Sequence, residues 1–159
     1  MTQGNIITVE ELAAAHKPGT RLVGLDLGTK TIGIAISDGT LSIASSLETL
    51  YRKKFSADVA HILEICEANN VYGLVLGLPL NMDGSEGPRA QSSRAFVRNF
   101  APLSDLPILL WDERLSTVAA ERAMLEADMS RKKRAEKIDA AAAAFILQGA
   151  LDRIGNIGR

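Results

Sequence analysis

The chain has 159 residues, 47% of them hydrophobic, and a formal net charge of −1. A chain of this length buries enough apolar surface to fold as one domain, and its single cysteine, Cys66, excludes an internal disulfide framework and a multi-cysteine metal site. The near-neutral charge excludes attraction of the whole molecule to polyanions, so any affinity for nucleic acid must come from local clusters of basic residues.

The sequence also bears on the cellular compartment. No stretch approaches the roughly 18 consecutive apolar residues of a membrane span. Residues 1–17 lack the apolar segment behind a basic start that marks a secretory signal. A lone cysteine in an apolar context suits a reducing compartment. We therefore expect a cytoplasmic protein without a membrane partner.

A short helix is the first predicted element. Thr8 and Glu11 have the spacing of a capping box, in which each side chain accepts a hydrogen bond from the backbone of the other residue. Pro18 follows where this helix would end. We assign residues 1–20 to an N-terminal extension, residues 21–152 to the main domain and residues 153–159 to a C-terminal tail.

Five segments have the pattern of β-strands. The first two alternate apolar residues on either side of a turn at Gly28, which predicts a β-hairpin. The fourth is almost entirely apolar, as is typical of a strand buried on both faces of a parallel sheet. The predicted strands are residues 21–27, 31–37, 41–50, 71–78 and 106–111.

Helical patterns alternate with the later strands. In the first of them Ser56 is a candidate N-cap, and Asp58 suits the positive end of a helix. A loop at residues 79–88 is long enough to overhang the carboxyl end of the fourth strand, and residues 128–137 form a charged segment that we expect to be mobile. The predicted helices are residues 56–69, 91–100, 117–127 and 138–151. This order of elements predicts an α/β fold with a mixed five-stranded sheet flanked by helices.

Three acidic residues stand at the ends of predicted elements. Asp26 lies near the end of the first strand, Glu113 follows the fifth strand, and Asp139 lies in the first turn of the last helix. Because side chains alternate across a strand, Asp112 and Glu113 cannot point to the same side; we favour Glu113, with Asp112 as second choice. Each acid also has a simpler interpretation, as a solvated carboxylate at a strand end or an acid favoured by the dipole at a helix start.

Convergence of these acids would form a site for a divalent metal. Carboxylates about 4 Å apart repel by about 4 kcal/mol at an effective dielectric constant of about 20, so a cluster needs a cation or a proton. The two histidines, His16 and His61, are distant from the acids in sequence, and a site made of oxygen ligands selects Mg²⁺ or Mn²⁺. Two such ions can activate a water and stabilise the leaving oxygen of a phosphodiester. The acids therefore predict phosphodiester hydrolysis.

Four blocks of the sequence, taken in order, carry a resemblance to a known family. They are GLDLGTKTIGIAISD, GLPLNMDGSEGPRAQ, DERLSTVAAERAML and KIDAAAAAFILQGALD, and they lie within residues 21–152. The chain resembles the YqgF/RuvX family of nucleases, which act on Holliday junctions or on the precursor of small-subunit ribosomal RNA. The residues before Arg21, and Ser46 where many relatives have proline, depart from the family pattern.

The resemblance implies a ribonuclease-H-like fold and a metal-dependent nuclease with Mg²⁺ or Mn²⁺ as cofactor. By motif position, the three catalytic and metal-binding acids of the family fall on Asp26, Glu113 and Asp139. The resemblance also implies processing of the 5′ end of pre-16S rRNA in ribosome biogenesis, with pre-ribosomal particles as partners. Holliday junction resolution is the alternative, and symmetric cutting of a junction would require a homodimer.

Basic residues near the acids are candidates for phosphate contacts. The set comprises Lys30, Arg89, Arg114, Arg131, Lys132, Lys133 and Arg134. A charged run is also typical of a solvated surface, so the cluster at residues 131–134 has both interpretations. The chain has few aromatic residues, which gives little support to base stacking and favours recognition of structured RNA or branched DNA through the backbone.

Two other classes of function are consistent with parts of the sequence. The run DLGTKTIGIAI, residues 26–36, resembles the phosphate-binding hairpin of the actin, sugar kinase and heat-shock ATPase superfamily. Those proteins clamp nucleotide between two domains, whereas this chain is long enough for one. The chain is also consistent with a non-catalytic nucleic-acid-binding module that keeps the fold, and a nuclease assay distinguishes these alternatives.

Overall fold

The computed structural model describes residues 5–115 and 140–157 with their side chains, and residues 131–139 by their backbone. Its elements, in chain order, are α1 (Val9–Ala14), β1 (Arg21–Leu27), β2 (Thr31–Ser37), β3 (Ala44–Tyr51), α2 (Phe55–Ala68), β4 (Val71–Leu78), α3 (Pro88–Phe100), β5 (Ile108–Asp112), a 3₁₀ turn (Glu113–Leu115) and α4 (Arg131–Ile157). None of the helices in these ranges is long and apolar enough to cross a membrane.

The five strands form one sheet in the order β3-β2-β1-β4-β5. β2 is antiparallel to both of its neighbours, whereas β1, β4 and β5 run parallel to one another. Parallel strands end at the same side of a sheet, so the carboxyl ends of β1, β4 and β5 meet there, and β3 also ends there because it runs in the direction of β1. We call this side the carboxyl edge. The mixed five-stranded sheet confirms the predicted fold class.

Helices cover both faces of the sheet. α4 and α1 pack on one face, where Ile146 and Leu147 are fully buried. α2 and α3 pack on the opposite face, where Ile62 and Phe100 are fully buried. Because both faces are covered, the central strands carry apolar residues at nearly every position.

α4 approaches β1 closely. A Cβ atom on Gly24 would lie 2.7 Å from Leu147 Cβ and 2.9 Å from the Ala143 carbonyl oxygen, so only glycine fits at this position without a shift of the helix. Residues 140–144 are all alanine, and their small side chains permit the approach. Contacts between rigid groups thus fix the position of α4 relative to β1.

The N-terminal segment packs against the domain. α1 has the predicted capping box, in which the Glu11 N–H donates to Thr8 Oγ1 at 3.1 Å and the Thr8 N–H donates to Glu11 Oε1 at 3.0 Å. Leu12 is fully buried beside α4, and Ile6 forms a bridge to Ile108 of β5. The capped helix is confirmed, and the domain boundaries given above stay predictions.

Two predicted element starts are wrong because side chains reshape the preceding turns. β3 begins at Ala44 rather than at residue 41, because Asp38 accepts hydrogen bonds from the N–H groups of Ser42 (2.7 Å) and Ile43 (2.9 Å) and holds this segment in a turn. α3 begins at Pro88 rather than at residue 91, because the fixed backbone of proline suits the first position of a helix.

The predicted cap of α2 is also wrong. The helix begins at Phe55 with Lys54 as its N-cap, Ser56 lies inside its first turn, and no described side chain caps the helix start. The Asp58 carboxylate instead accepts the N–H of Lys53, the residue before the N-cap, at 3.0 Å. This hydrogen bond fixes the chain between β3 and α2 at the carboxyl edge.

α4 starts at Arg131, well before the predicted start at residue 138. The residues that we expected to form a mobile segment are good helix formers, and the backbone of residues 131–137 is helical. Asp139 therefore lies in the third turn of α4, so its interpretation as a helix-start acid is wrong. The predicted helix at residues 117–127 lies outside the described residues.

Candidate active site

Asp26 lies at the carboxyl edge, on the face that α4 covers. Side chains alternate along β1, so Asp26 is on the same side of the sheet as Gly24, which contacts α4. Only 2% of Asp26 is exposed. The parallel register pairs Leu25 with Leu76, and one further step along both strands sets Asp26 beside Gly77. The central strands therefore hold this carboxylate at their C-terminal end.

Glu113 reaches the same place from β5. Trp111 is buried in the core on the α4 side, and alternation places Glu113 on that side and Asp112 on the other. Oε2 of Glu113 is buried, and it lies 2.8 Å from the position that a Cβ atom on Gly77 would occupy. The structure thus brings Asp26 and Glu113 together around Gly77.

Gly77 allows the Glu113 carboxylate to lie against the sheet. A Cβ atom at this position would lie 2.6 Å from Ile146 Cδ1 and 2.8 Å from Glu113 Oε2, distances at which something must shift. The Gly77 carbonyl accepts a hydrogen bond from Ser93 Oγ at 3.1 Å, which ties α3 to this strand from the opposite face. Gly77 therefore lies at a fixed position between the two acids, with no side chain of its own.

The third predicted acid, Asp139, lies on α4. The helical backbone passes through residue 139, but its side chain lies outside the described residues. The same holds for the candidate phosphate contacts Arg131, Lys132, Lys133 and Arg134. Ala143, one turn further along, lies over Gly24, so position 139 is on the sheet-facing side of the helix. Among the side chains that are described, no three from His, Cys, Asp and Glu are grouped so that they could hold a metal ion.

Asp112 and Arg114 form an ion pair next to the site. Arg114 Nη2 lies 2.8 Å from Asp112 Oδ2 and its Nε lies 3.1 Å from Oδ1; these side-chain hydrogen bonds lower the pKa of Asp112. Arg114 Nη1 also lies 3.4 Å from the carbonyl oxygen of Met82, in the loop after β4. Arg114, a predicted phosphate contact, is therefore engaged by Asp112 and by this loop.

The loop after β4 is held by its own hydrogen bonds. The Asn81 N–H donates to the Ser85 carbonyl at 2.9 Å. The Ser85 hydroxyl and N–H both donate to Asp83, and they lower the pKa of its carboxyl. Glu86, nearer to α3, pairs with Arg94 at 2.6 Å. Most charge in this part of the carboxyl edge is therefore paired.

Arg89 lies beside Asp26. One of its terminal nitrogens is 3.9 Å from Asp26 Oδ1 and 3.4 Å from the carbonyl oxygen of Leu27. Its position follows from the start of α3, because Arg89 comes directly after Pro88 in the first turn. About half of the side chain (51%) is exposed. Arg89 thus combines a contact to a buried acid with access to solvent, as a phosphate contact requires.

Lys30, another predicted phosphate contact, is exposed in the turn between β1 and β2. Three cations outside the predicted set of phosphate contacts lie beside it: Arg52, Lys53 and Lys54. The Arg52 N–H donates to the Lys30 carbonyl at 2.9 Å, which holds the two segments together. In the sequence these three cations are visible as a short basic run directly after the predicted third strand. The run at residues 131–134 is denser in charge and is therefore the one predicted to contact phosphates.

A mixed five-stranded sheet with helices on both faces and acids meeting at its carboxyl edge is the arrangement of the ribonuclease-H-like fold. Solved structures share the fold. The chain matches T. thermophilus RuvC in complex with a Holliday junction substrate with a TM-score of 0.54 and 14% identity, over 86% of this chain and 96% of the other. It matches the yeast mitochondrial Holliday junction resolvase Ydc2 with a TM-score of 0.50 and 13% identity, over 94% of this chain and 85% of the other.

The sequence identifies the family. Residues 20–153 match the RuvX family model, described as Holliday junction resolvase, and the chain belongs to this family. A relative from Rhodobacter capsulatus, named "Putative pre-16S rRNA nuclease", is 61% identical over 151 residues, which are 95% of each chain. The protein is therefore a nuclease, a hydrolase of phosphodiester bonds, and the predicted family, fold and enzyme class are confirmed.

Proposed function

We propose that the protein cuts phosphodiester bonds of structured nucleic acid at the carboxyl edge, with Asp26, Glu113 and Asp139 as its catalytic and metal-binding acids. The observation that carries the proposal is the meeting of the buried Asp26 carboxylate of β1 with the Glu113 carboxylate at the end of β5, one oxygen of which is buried, around Gly77. Carboxylates held this near one another repel, and a bound cation relieves the repulsion.

The residues present fit a hard divalent cation. Asp26 and Glu113 offer carboxylate oxygens, the ligands that Mg²⁺ and Mn²⁺ prefer. The histidines are engaged elsewhere, His16 with the backbone carbonyls of Thr20 and Gly39 and His61 with Glu48 between α2 and β3. When bound, such an ion supplies positive charge that stabilises the charge developing on the phosphoryl oxygens. Asp26 and Glu113 would hold it, with Asp139 as the third ligand.

The course of α4 supports Asp139 as the third acid. The Ala44 N–H donates to Gln148 Oε1 at 2.8 Å, and the Ser46 hydroxyl lies 3.2 Å from the Ala140 carbonyl oxygen. From Gln148 back to Ala140, α4 therefore runs toward the carboxyl end of β3, which lies at the carboxyl edge. Position 139 is the next step along this path and belongs to the sheet-facing side of the helix.

The protein's own cations would orient the substrate. Arg89 and Lys30 would neutralise phosphate charge near the scissile bond, and such fixed contacts place the bond in a reactive position. Arg114 would join them by exchanging Asp112 for a phosphate, and the cluster at residues 131–134 precedes position 139 on α4. Burial holds the Asp26 carboxylate and one oxygen of the Glu113 carboxylate in place, so the site needs little reorganisation during the reaction.

For the substrate we propose the 5′ end of pre-16S rRNA, processed in the cytoplasm during ribosome biogenesis with pre-ribosomal particles as partners. The name of the Rhodobacter capsulatus relative, which matches over nearly the whole chain, supports this choice. The alternative is resolution of Holliday junctions, which the description of the family supports. That alternative requires a homodimer, because symmetric cuts in a junction need two related active sites.

A cleavage assay decides between these substrates. We expect the purified protein with Mn²⁺ to cut RNA that carries the precursor segment of 16S rRNA and to leave a four-way DNA junction intact. Symmetric cutting of the junction by a dimer would support the resolvase instead. Cleavage of neither substrate would support the non-catalytic module, and ATP binding in a calorimetric titration would support the ATPase.

Replacement of Asp139 by asparagine tests the metal ligands without an activity readout. At a Mn²⁺ concentration a hundred times the dissociation constant, bound metal should stabilise the wild type by about 2.7 kcal/mol. We expect Asp139→Asn to abolish most of the metal-induced rise in melting temperature and to raise the melting temperature of the metal-free protein slightly, because repulsion between acids is relieved.

The control for Asp139→Asn is Asp152→Asn, which makes the same change on an exposed turn of α4. Asp152 accepts a hydrogen bond from Gln148 at 2.9 Å, and asparagine can still accept it. This variant should respond to Mn²⁺ like the wild type. Quenching of the single tryptophan, Trp111, which lies two residues before Glu113, follows metal binding independently. An undiminished thermal response in Asp139→Asn would remove Asp139 from the ligand set.

A further inference from the structure

Four exposed cations form a basic strip on one side of the carboxyl edge. They are Lys30 in the turn between β1 and β2, and Arg52, Lys53 and Lys54 in the connection between β3 and α2. The first acid that follows in the sequence is Asp58, and it is buried and occupied by the Lys53 N–H. The strip therefore presents concentrated positive charge although the whole chain is nearly neutral.

The backbone of the basic strip is fixed. The Arg52 N–H donates to the Lys30 carbonyl at 2.9 Å, and the Arg52 guanidinium donates to the Gly28 carbonyl at 2.7 Å. Lys53 is held through its N–H by Asp58. In contrast, the ammonium groups of Lys30, Lys53 and Lys54 form no ion pair with a carboxylate within the described side chains. The structure thus holds three lysines near one another with their charges available to a ligand.

The strand register gives the distance from the acids to the basic strip. Asp26 pairs with Gly33, and Gly33 pairs with Thr49, so these three residues form one row across the sheet. Lys30 and Arg52 lie three residues beyond that row, about 10 Å along the strands at about 3.3 Å per residue, and β3 is two strands, about 10 Å, from β1. The basic strip therefore lies about 10 to 14 Å from Asp26. One strand of a nucleic acid duplex advances about 3.4 Å per nucleotide along the duplex axis, so this separation corresponds to about three to four nucleotides.

Among the described side chains on the opposite side of the carboxyl edge, Arg89 is accessible to solvent and the other cations are paired with acids. Beyond β4 and β5, Arg94 pairs with Glu86 at 2.6 Å and Arg114 pairs with Asp112 at 2.8 Å. Asp83 adds a further negative charge in the same loop, and its lowered pKa keeps it ionised. A polyanion that reaches Asp26 is therefore attracted toward β3 and α2 rather than toward β5.

We propose that the nucleic acid backbone leaves the active site across the basic strip, and that Lys30, Lys53 and Lys54 bind phosphates about three to four nucleotides from the bond that is cut. This inference rests on the proposed cleavage site at Asp26. It assigns a direction to the substrate, from the acids over the turn between β1 and β2 to the start of α2. Since phosphates carry no sequence information, the basic strip sets position and affinity rather than base preference.

The test uses the double variant Lys53→Gln and Lys54→Gln, because neither lysine side chain takes part in a hydrogen bond recorded for the described structure. The probe is a fluorescein-labelled RNA hairpin with a single-stranded extension, and anisotropy is measured over a range of salt concentrations. An Asp26→Asn background with EDTA prevents cleavage. We expect affinity to fall on the order of tenfold, and the slope of log K against log salt to become shallower by about two, one for each lysine.

The matched control is the double variant Lys17→Gln and Arg98→Gln. It also removes two positive charges, but from exposed positions before β1 and in the last turn of α3, at the opposite side of the sheet. Its salt slope should equal that of the parent. Equal slopes and affinities for both double variants would overturn the proposal.

The experiments distinguish an error in the proposed basic strip from an error in the proposed catalytic acids. If the catalytic acids are wrong, Asp26→Asn leaves cleavage intact, while the binding comparison still reports on the basic strip. If the basic strip is wrong, cleavage depends on Asp26 but is equally salt-sensitive in both double variants when these are made with Asp26 intact. Thermal unfolding shows whether each variant is folded, and with Asp26 intact the Mn²⁺ response of Trp111 fluorescence should be unchanged in both.

Discussion

Replacement of Asp26 by asparagine should reduce phosphodiester cleavage by at least about a hundredfold while the protein stays folded. Asparagine has nearly the volume of aspartate, so the buried position in β1 is still filled. Arg89, the cation beside Asp26, is half exposed, and water can solvate it when the carboxylate is gone. What is lost is one negative charge at the point where the site must hold a cation and orient the scissile phosphate.

The comparison for Asp26→Asn is Asp105→Asn, the same chemical change at an exposed position in the connection that precedes β5. Both variants and the wild type are assayed on the same RNA with Mn²⁺, and circular dichroism verifies that they share the same secondary structure. The control should cleave at the wild-type rate. Cleavage by Asp26→Asn at a rate close to that of Asp105→Asn would mean that the active site lies elsewhere.

Local patterns predict that neighbouring acids lie on different sides of the sheet. Alternation at the end of β5 separates Glu113 from Asp112, and in the structure it is Glu113 that lies against Gly77. Asp112 lies on the other side and pairs with Arg114. This distinction needs no knowledge of the tertiary structure, because the period of a strand is fixed by its backbone geometry.

The partners of those acids cannot be predicted in the same way. Gly77 lies far from Glu113 in sequence, and their contact depends on the parallel pairing of β4 with β5. The position of Gly77 beside Asp26 depends in turn on the register of β1 with β4. The alternation of residues within a strand shows which residues share a face, but it does not show how that strand is aligned with its neighbours. The position of Gly77 between the two acids can therefore be seen only in the folded chain.

The basic strip illustrates the same limit for charge. The run from Arg52 to Lys54 is short and is apparent in the sequence, but its proximity to Lys30 is created by the pairing of β2 with β3. Whether a cation is free to bind phosphate also depends on the tertiary structure, because the fold decides which cations are paired with acids. Arg114 is engaged by Asp112, whereas Lys53 and Lys54 are exposed. Density of charge along the chain is therefore a poor guide to which cations meet a substrate.

Gly77→Ala is the second variant for which we expect a large effect, and it separates activity from stability. The new Cβ atom would lie 2.6 Å from Ile146 Cδ1 and 2.8 Å from Glu113 Oε2. Both atoms are at the ends of flexible side chains, so they can move aside, and the loss of stability should be only about 1 kcal/mol. Displacement of the Glu113 carboxylate by about 1 Å should nevertheless reduce cleavage by about a hundredfold.

Two further glycines supply the controls for Gly77→Ala. Gly155 lies in α4 with no atom near the position of its Cβ, so Gly155→Ala should leave activity unchanged and raise stability by up to about 1 kcal/mol. Gly24→Ala should lose much more stability than Gly77→Ala. Its Cβ atom would meet Leu147 Cβ at 2.7 Å and the Ala143 carbonyl at 2.9 Å, atoms that cannot rotate away, so the loss of stability should reach about 3 kcal/mol.

Denaturant unfolding and cleavage rates measured on the same preparations decide the matter. If Gly77→Ala loses activity far beyond the fraction that is unfolded, the glycine serves the position of the Glu113 carboxylate, and the catalytic role of Glu113 gains support from a variant that leaves its chemistry untouched. If Gly77→Ala is as active as Gly155→Ala, the Glu113 carboxylate either needs no fixed position or takes no part in the reaction. The close approach of Glu113 to β4 would then be a matter of packing alone.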